Sequence, residues 1–144
     1  MSETPAPLVD WTMFNQARAE LGSEFVRILG YFREDGLKSL DAIEAAMRAE
    51  NAAALVIPAH TLKGEARQFG AEPLGDLAEI IEVTARSCVE MQQTPEELVP
   101  EVVKLRPLFE ATMELFDRET NPLVVRRAPA AGGFGRRAVF GRAG

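Results

Sequence analysis

Residues 55–69 read LVIPAHTLKGEARQF, and this segment carries most of the information about the fold. Its apolar residues recur at intervals of four, three, four and three, the spacing of a narrow helical seam of the coiled-coil type. We therefore predict a helix from near Asn51 to Gly70, with the glycine just beyond its end and a kink at Pro58. The seam consists of Leu55, Ala59, Leu62, Ala66 and Phe69.

The segments on either side of this helix show the same periodicity. Asp10 is placed to cap a short first helix, and Pro73 suits the first position of a fourth helix. Thr94–Glu97 has the pattern of a capping box before a fifth helix. Pro100 and Pro107 are expected to disturb the early turns of the fifth helix. The second helix carries a predicted buried stripe of Phe25, Ile28, Leu29, Phe32, Leu37, Leu40, Ile43, Ala46 and Met47.

Long helices with short links and almost no strand pattern predict an all-α protein. We expect an antiparallel four-helix bundle with a short extra N-terminal helix and a flexible C-terminal tail. The bundle is assigned to residues 1–120. The tail is assigned to residues 121–144, where the composition changes to Gly, Ala and Arg.

The composition excludes several classes of protein. One cysteine, Cys88, cannot form an intramolecular disulfide, and one histidine cannot supply the common His/Cys zinc sites. The longest apolar run has eight residues, far fewer than the ~20 needed to cross a bilayer. The acidic N-terminus does not resemble a signal peptide, so we expect a cytoplasmic location without membrane contact.

The charge is divided unevenly along the chain. Residues 1–120 hold 11 basic and all 22 acidic residues, whereas residues 121–144 hold five arginines and no acid. The acidic body should repel nucleic acid, so a nucleic-acid contact made by the tail is the least favoured hypothesis.

The only histidine lies on a helical face with unusual neighbours. Lys63, Gly64 and Arg67 follow His60 at i+3, i+4 and i+7, so the four residues share one face. His60 is about 200° from Leu62 on a helical wheel, so its ring should face water. An exposed imidazole is largely neutral at pH 7 and can act as a nucleophile. Lys63 can then neutralise a transferred phosphoryl group.

Glycine in the middle of a helix destabilises the helix, so the presence of Gly64 calls for an explanation. We interpret its bare backbone as the place where another protein's active site approaches His60, with Arg67 extending the positive surface. The alternative is that Gly64 permits close helix packing and that Arg67 belongs to an ordinary solvated face.

The sequence Ala59-His60-Thr61-Leu62-Lys63-Gly64, followed by Phe69-Gly70-Ala71, Leu74 and Leu77, resembles the histidine-containing phosphotransfer (Hpt) domain family. The resemblance implies a helical bundle whose histidine shuttles phosphoryl groups between the aspartates of receiver domains. His60 would be the phosphoacceptor through Nε2, Lys63 would stabilise the phosphoryl group, and Gly64 would permit docking.

The resemblance also assigns a role on the following helix. The family usually has Gln or Glu hydrogen-bonded to the histidine Nδ1, and the corresponding residue here is Glu82. A surface ion pair between Glu82 and Arg86 is the alternative. The chain departs from the family in one place, because Glu65 stands where a small residue is common. We expect a modest effect on docking or partner choice.

Receiver domains are thus the predicted partners, with a hybrid histidine kinase as a further candidate. Ile57 and Leu40 are expected to form the apolar part of the docking patch. No cofactor is expected on this chain, and Mg²⁺ is expected on the partner receiver. No G-x-x-x-x-G-K-[ST] loop is present, so we expect no ATP-dependent kinase activity. The competing hypothesis is a non-catalytic module that binds and inhibits a histidine kinase or response regulator.

Overall fold

The computed structural model describes residues 7–121, and over this range the chain is helical without any strand. Short 3₁₀ turns, Gly22–Glu24 and Glu96–Leu98, precede the second and fifth α-helices. The helices are α1 (Trp11–Leu21), α2 (Phe25–Arg48), α3 (Ala53–Gln68), α4 (Glu72–Glu90) and α5 (Val99–Thr120).

The chain divides into two compact units, Met1–Thr112 and Met113–Gly144. The first unit contains α1 to α4 and α5 as far as Thr112. Within it α3 packs against both α2 and α4, and short connections make successive long helices antiparallel. The all-α bundle is therefore confirmed. In the second unit the structure describes residues 113–121, the end of α5. The boundary predicted at residue 120 stays a prediction, and residues 122–144 of the predicted tail lie outside the described residues.

The seam of α3 lies in the core of the first unit. Leu55, Ala59, Leu62 and Ala66 are fully buried, and Phe69 is 1% exposed. The ring of Phe32 lies between Phe69 and Phe109, with centroid distances of 5.5 and 5.8 Å. Because both flanks of α3 are packed, only one strip of this helix is left to face water.

Two predicted helix ends are confirmed. The Asp10 carboxylate accepts hydrogen bonds from the backbone N–H groups of Thr12 and Met13 at 3.0 and 3.2 Å. Gly70 follows α3 with φ +81°, a conformation that favours glycine. Its carbonyl accepts a 2.8 Å bond from the Asp10 N–H, so the start of α1 is fixed at the end of α3.

The predicted capping box is wrong. Pro95 rather than Thr94 precedes a 3₁₀ turn there, and no side chain caps it. The α-helix begins later, at Val99, so Pro100 occupies the first turn, where a missing N–H costs nothing. Helices α3 and α5 are continuous through Pro58 and Pro107.

Six of the nine residues in the predicted stripe of α2 are buried, whereas Ile28 and Met47 are half-buried and Leu37 is 39% exposed. Gly36 lies in the middle of α2, where glycine is unfavourable for the helix, and the packing of α5 explains it. A Cβ at this position would lie 2.4 Å from Phe109 Cε1, so only glycine allows α5 to approach α2 this closely.

No helix within residues 7–121 combines the length and the apolar character that crossing a membrane requires.

Candidate functional site

His60 lies on the outward strip of α3, and 61% of its side chain is exposed. The preceding residue, Ala59, is fully buried in the seam. The backbone of a packed helix therefore presents the imidazole to solvent, as the helical wheel predicts. A partner protein can reach the ring without any rearrangement of the bundle.

One ring nitrogen of His60 is held by a buried carboxylate from α4. His60 Nδ1 lies 3.1 Å from Glu82 Oε2, and only 6% of the Glu82 side chain is exposed. A carboxylate can only accept a hydrogen bond, so Nδ1 carries the hydrogen and Nε2 keeps its lone pair. The contact predicted between these residues is thus present, and in the neutral ring it leaves the lone pair on Nε2.

Two cations share the same carboxylate. Lys63 Nζ lies 2.9 Å from Glu82 Oε1 as an ion pair, and Arg86 donates to Oε2 from Nη2 and Nε at 2.9 and 3.1 Å. Burial raises the pKa of Glu82, but the contacts with Lys63, Arg86 and His60 lower it by more. The net effect is a pKa of about 2, below the ordinary value for glutamate. The carboxylate is therefore ionised at any physiological pH.

This cluster changes two expectations. The alternatives for Glu82 both hold, because it contacts His60 and Arg86 through the same oxygen. Lys63, expected to stabilise a phosphoryl group, is paired with Glu82 in this structure, and 21% of its side chain is exposed. Its ammonium is held on the Glu82 carboxylate, one helical turn from His60.

Gly64 lies open beside His60. A Cβ at this position would have no atom within 4 Å, whereas a Cβ at Gly36 or Gly75 would collide with a neighbouring side chain. Close helix packing therefore does not explain this glycine. Its bare backbone leaves room next to His60, which is what docking requires.

Of the two residues predicted to form the apolar docking patch, one is exposed and the other is buried. Ile57, one turn before His60, is 74% exposed and available to a partner. Leu40 has no exposed surface and cannot contact a partner. It lies on the core side of the α2 stripe, so its expected place in the docking patch was wrong.

Arg67 shares the helix face of His60 at the backbone, but its side chain turns toward α4. Its Nη2 donates to Glu79 at 2.6 Å and to Asp76 at 2.9 Å. The guanidinium is thus occupied within the bundle, a contact that the sequence did not reveal.

Glu65 lies on the opposite flank of α3, against Asp35 of α2. Burial, the charge of Asp35 and a hydrogen bond with it raise the pKa of Glu65 to about 7. Its Oε1 is buried without a hydrogen-bond partner in the described part of the chain. The Glu65 carboxyl group therefore takes up a proton near neutral pH.

This shift predicts how stability depends on pH. A raised pKa means that the folded protein binds more protons than the unfolded chain between about pH 4.5 and 7, so unfolding becomes easier as pH rises through that window. Glu65→Gln removes this contribution. The stability of Glu65→Gln relative to wild type should therefore increase from pH 5 to pH 8, measured by urea unfolding. A constant difference over this range would contradict the shift.

Within residues 7–121 no three His, Cys, Asp or Glu side chains are grouped to hold a metal ion.

Comparison with known proteins decides the family. The model of the Hpt domain family matches residues 27–117, which include α3, α4 and every site residue described above. The chain belongs to the Hpt domain family. A solved structure, that of histidine-containing phosphotransfer protein B (HptB) from Pseudomonas aeruginosa PAO1, matches with a TM-score of 0.69 and 25% identity. The match covers 80% of this chain and 96% of that one. A comparison with curated protein sequences found no match.

Hpt domains carry out histidine phosphotransfer in phosphorelays and interact with receiver domains and kinases. The exposed imidazole of His60 agrees with this activity.

Proposed function

We propose that this Hpt domain relays a phosphoryl group between receiver-domain aspartates through His60 Nε2. The observation that carries the proposal is the exposed imidazole whose Nδ1 is held by the ionised Glu82 carboxylate. In the neutral ring that arrangement holds the hydrogen on Nδ1 and leaves the lone pair of Nε2 available to a partner. Mg²⁺ is expected on the receiver, and no cofactor is expected on this chain.

The transfer is a single displacement at phosphorus. The Nε2 lone pair attacks the aspartyl phosphate in line, the N–P bond forms, and the P–O bond to the aspartate breaks. Nε2 carries no hydrogen in this tautomer, so no proton has to leave. The ring gains positive charge as Nε2 bonds to phosphorus, and Glu82 stabilises that charge through Nδ1–H. The reverse reaction delivers the group to a second receiver.

Lys63 is proposed to hold the transferred group. Its Nζ is paired with Glu82 one turn from His60 and needs only a side-chain rotation to meet the phosphoryl oxygens. Gly64 and the exposed Ile57 are proposed to contact the receiver. Arg67 was predicted to dock as well, but its ion pairs with α4 favour another role, argued below.

Replacing Lys63 with Ala is expected to leave receiver binding nearly intact and to reduce the yield or lifetime of phosphohistidine several-fold. The reason is that the negative phosphoryl group loses its nearest cation. Quench-flow transfer assays and the decay of isolated phosphoprotein measure this. Lys104→Ala, which removes an exposed lysine of α5, is the matched control. A normal yield and lifetime in Lys63→Ala would remove Lys63 from this role.

The proposal is tested by incubating the protein with phosphorylated receivers, followed by mass spectrometry at neutral pH. The expected result is an adduct with the mass of one phosphoryl group on His60. Binding to receivers or to a histidine kinase, without any acid-labile label, would instead support the inhibitory module. The same experiment without receivers, with ATP, should give no label. The cytoplasmic location stays a prediction.

A further inference from the structure

Arg67 extends from α3 across to α4 and contacts three acidic side chains there. Nη2 lies 2.6 Å from Glu79 and 2.9 Å from Asp76, and Nε lies 3.9 Å from Glu72. The Arg67 side chain is 35% exposed. Three carboxylates from successive turns of α4 thus surround one guanidinium of α3.

The stem of Arg67 lies directly on the backbone of Gly75. A Cβ at Gly75 would be 2.8 Å from Arg67 Cγ and 3.1 Å from Nε, closer than side chains pack. Gly75 is buried in the first turn of α4, where alanine would favour the helix more than glycine does. The position of Arg67 supplies the reason for this glycine, so the two residues form one fitted contact.

The Arg67 contact and the His60 site both lie between α3 and α4, about two helical turns apart along α3. His60 and Lys63 meet Glu82, whereas Arg67, two turns later in α3, meets residues of α4 that precede Glu82. Because the helices run antiparallel, both sets of contacts form at the same alignment of α3 along α4. A slide or rotation of α3 that breaks the Arg67 contacts also moves His60 Nδ1 away from Glu82.

We infer that Arg67 is a positioning residue, which with Gly75 fixes the register between α3 and α4 and so keeps His60 Nδ1 on Glu82. The inference assigns Arg67 to the contact between α3 and α4 rather than to partner contact. The expected effect of Arg67 on the transfer rate rests on the proposed function. The expected effect on the tautomer of the His60 ring can be measured without it.

The test uses the full chain and three variants. Arg67→Ala removes the guanidinium, and Gly75→Ala displaces it without changing any charge while favouring the helix. Arg106→Ala is the matched control, because Arg106 joins α5 to Asp41 and Glu44 of α2 at 2.8 to 3.0 Å, away from His60. Thermal unfolding and helical circular dichroism show that each variant is folded.

The decisive measurement is the ¹⁵N chemical shifts of the His60 ring at a pH where the ring is neutral. Wild type and Arg106→Ala should show one tautomer with the hydrogen on Nδ1. Arg67→Ala and Gly75→Ala should show a mixture of tautomers. Transfer from a phosphorylated receiver should fall about tenfold in these two variants and remain unchanged in Arg106→Ala.

A single Nδ1–H tautomer in folded Arg67→Ala and Gly75→Ala would overturn the inference. A weaker receiver affinity with an unchanged tautomer would return Arg67 to the docking surface and also overturn it. If Arg67→Ala does not fold, Gly75→Ala decides. Failure of wild type to accept a phosphoryl group would reject the proposed function alone, because the tautomer measurement needs no partner.

Discussion

Replacing His60 with Gln is expected to abolish phosphorylation of this protein completely while leaving its fold intact. Of the residues described, His60 is the one with an exposed nitrogen nucleophile held in a defined tautomer by a buried carboxylate. The glutamine amide can still donate to Glu82, and the position is exposed, so the free energy of unfolding should change by about 0.5 kcal/mol or less. Radiolabel transfer from a phosphorylated receiver measures the loss.

The result depends on receiver binding being preserved, which is measured separately by calorimetry with the same receiver. If His60→Gln still binds the receiver but no longer takes up the label, the phosphoryl group is accepted by His60. A residual label in His60→Gln would place the phosphoryl group on another side chain and contradict the relay. No label in either protein, with binding in both, would favour the inhibitory module.

The second large effect is expected at Gly64, where stability and function should change in opposite directions. A Cβ at this position meets no neighbouring side chain within 4 Å, and alanine is a better helix former than glycine. Gly64→Ala should therefore stabilise the protein by roughly 0.5–1 kcal/mol. Gly64→Gln, with a longer side chain beside His60, should fold normally but slow transfer by about tenfold or more, since the receiver can no longer approach.

Gly30→Ala is the matched control, because Gly30 is also an exposed helical glycine with no atom within 4 Å of an added Cβ. It should give the same gain in stability with an unchanged transfer rate. The measurement is receiver affinity and single-turnover transfer for all variants at one temperature. A normal rate and affinity in Gly64→Gln would contradict the close-approach argument, whatever its stability.

Local patterns predicted most of the bundle. The α3 seam, the Asp10 cap and the turn at Gly70 follow from apolar spacing and backbone preference, and each is present. The errors occurred where several local rules compete. Thr94–Glu97 satisfies the capping pattern, but the chain makes a 3₁₀ turn there and delays the helix to Val99. Leu37 has the right spacing for burial, yet no neighbour covers it completely.

The sequence by itself determined that this is a helical Hpt domain with an exposed His60, because helical periodicity and the spacing of His60, Lys63 and Gly64 are local properties. Only the tertiary structure decided what the charged side chains do. Lys63 pairs with Glu82 and Arg67 turns to Glu79, contacts whose partners are 19 and 12 residues away. Such pairs depend on how one helix is rotated and shifted against the next. That register is set by contacts between the helices, and no single helix encodes it.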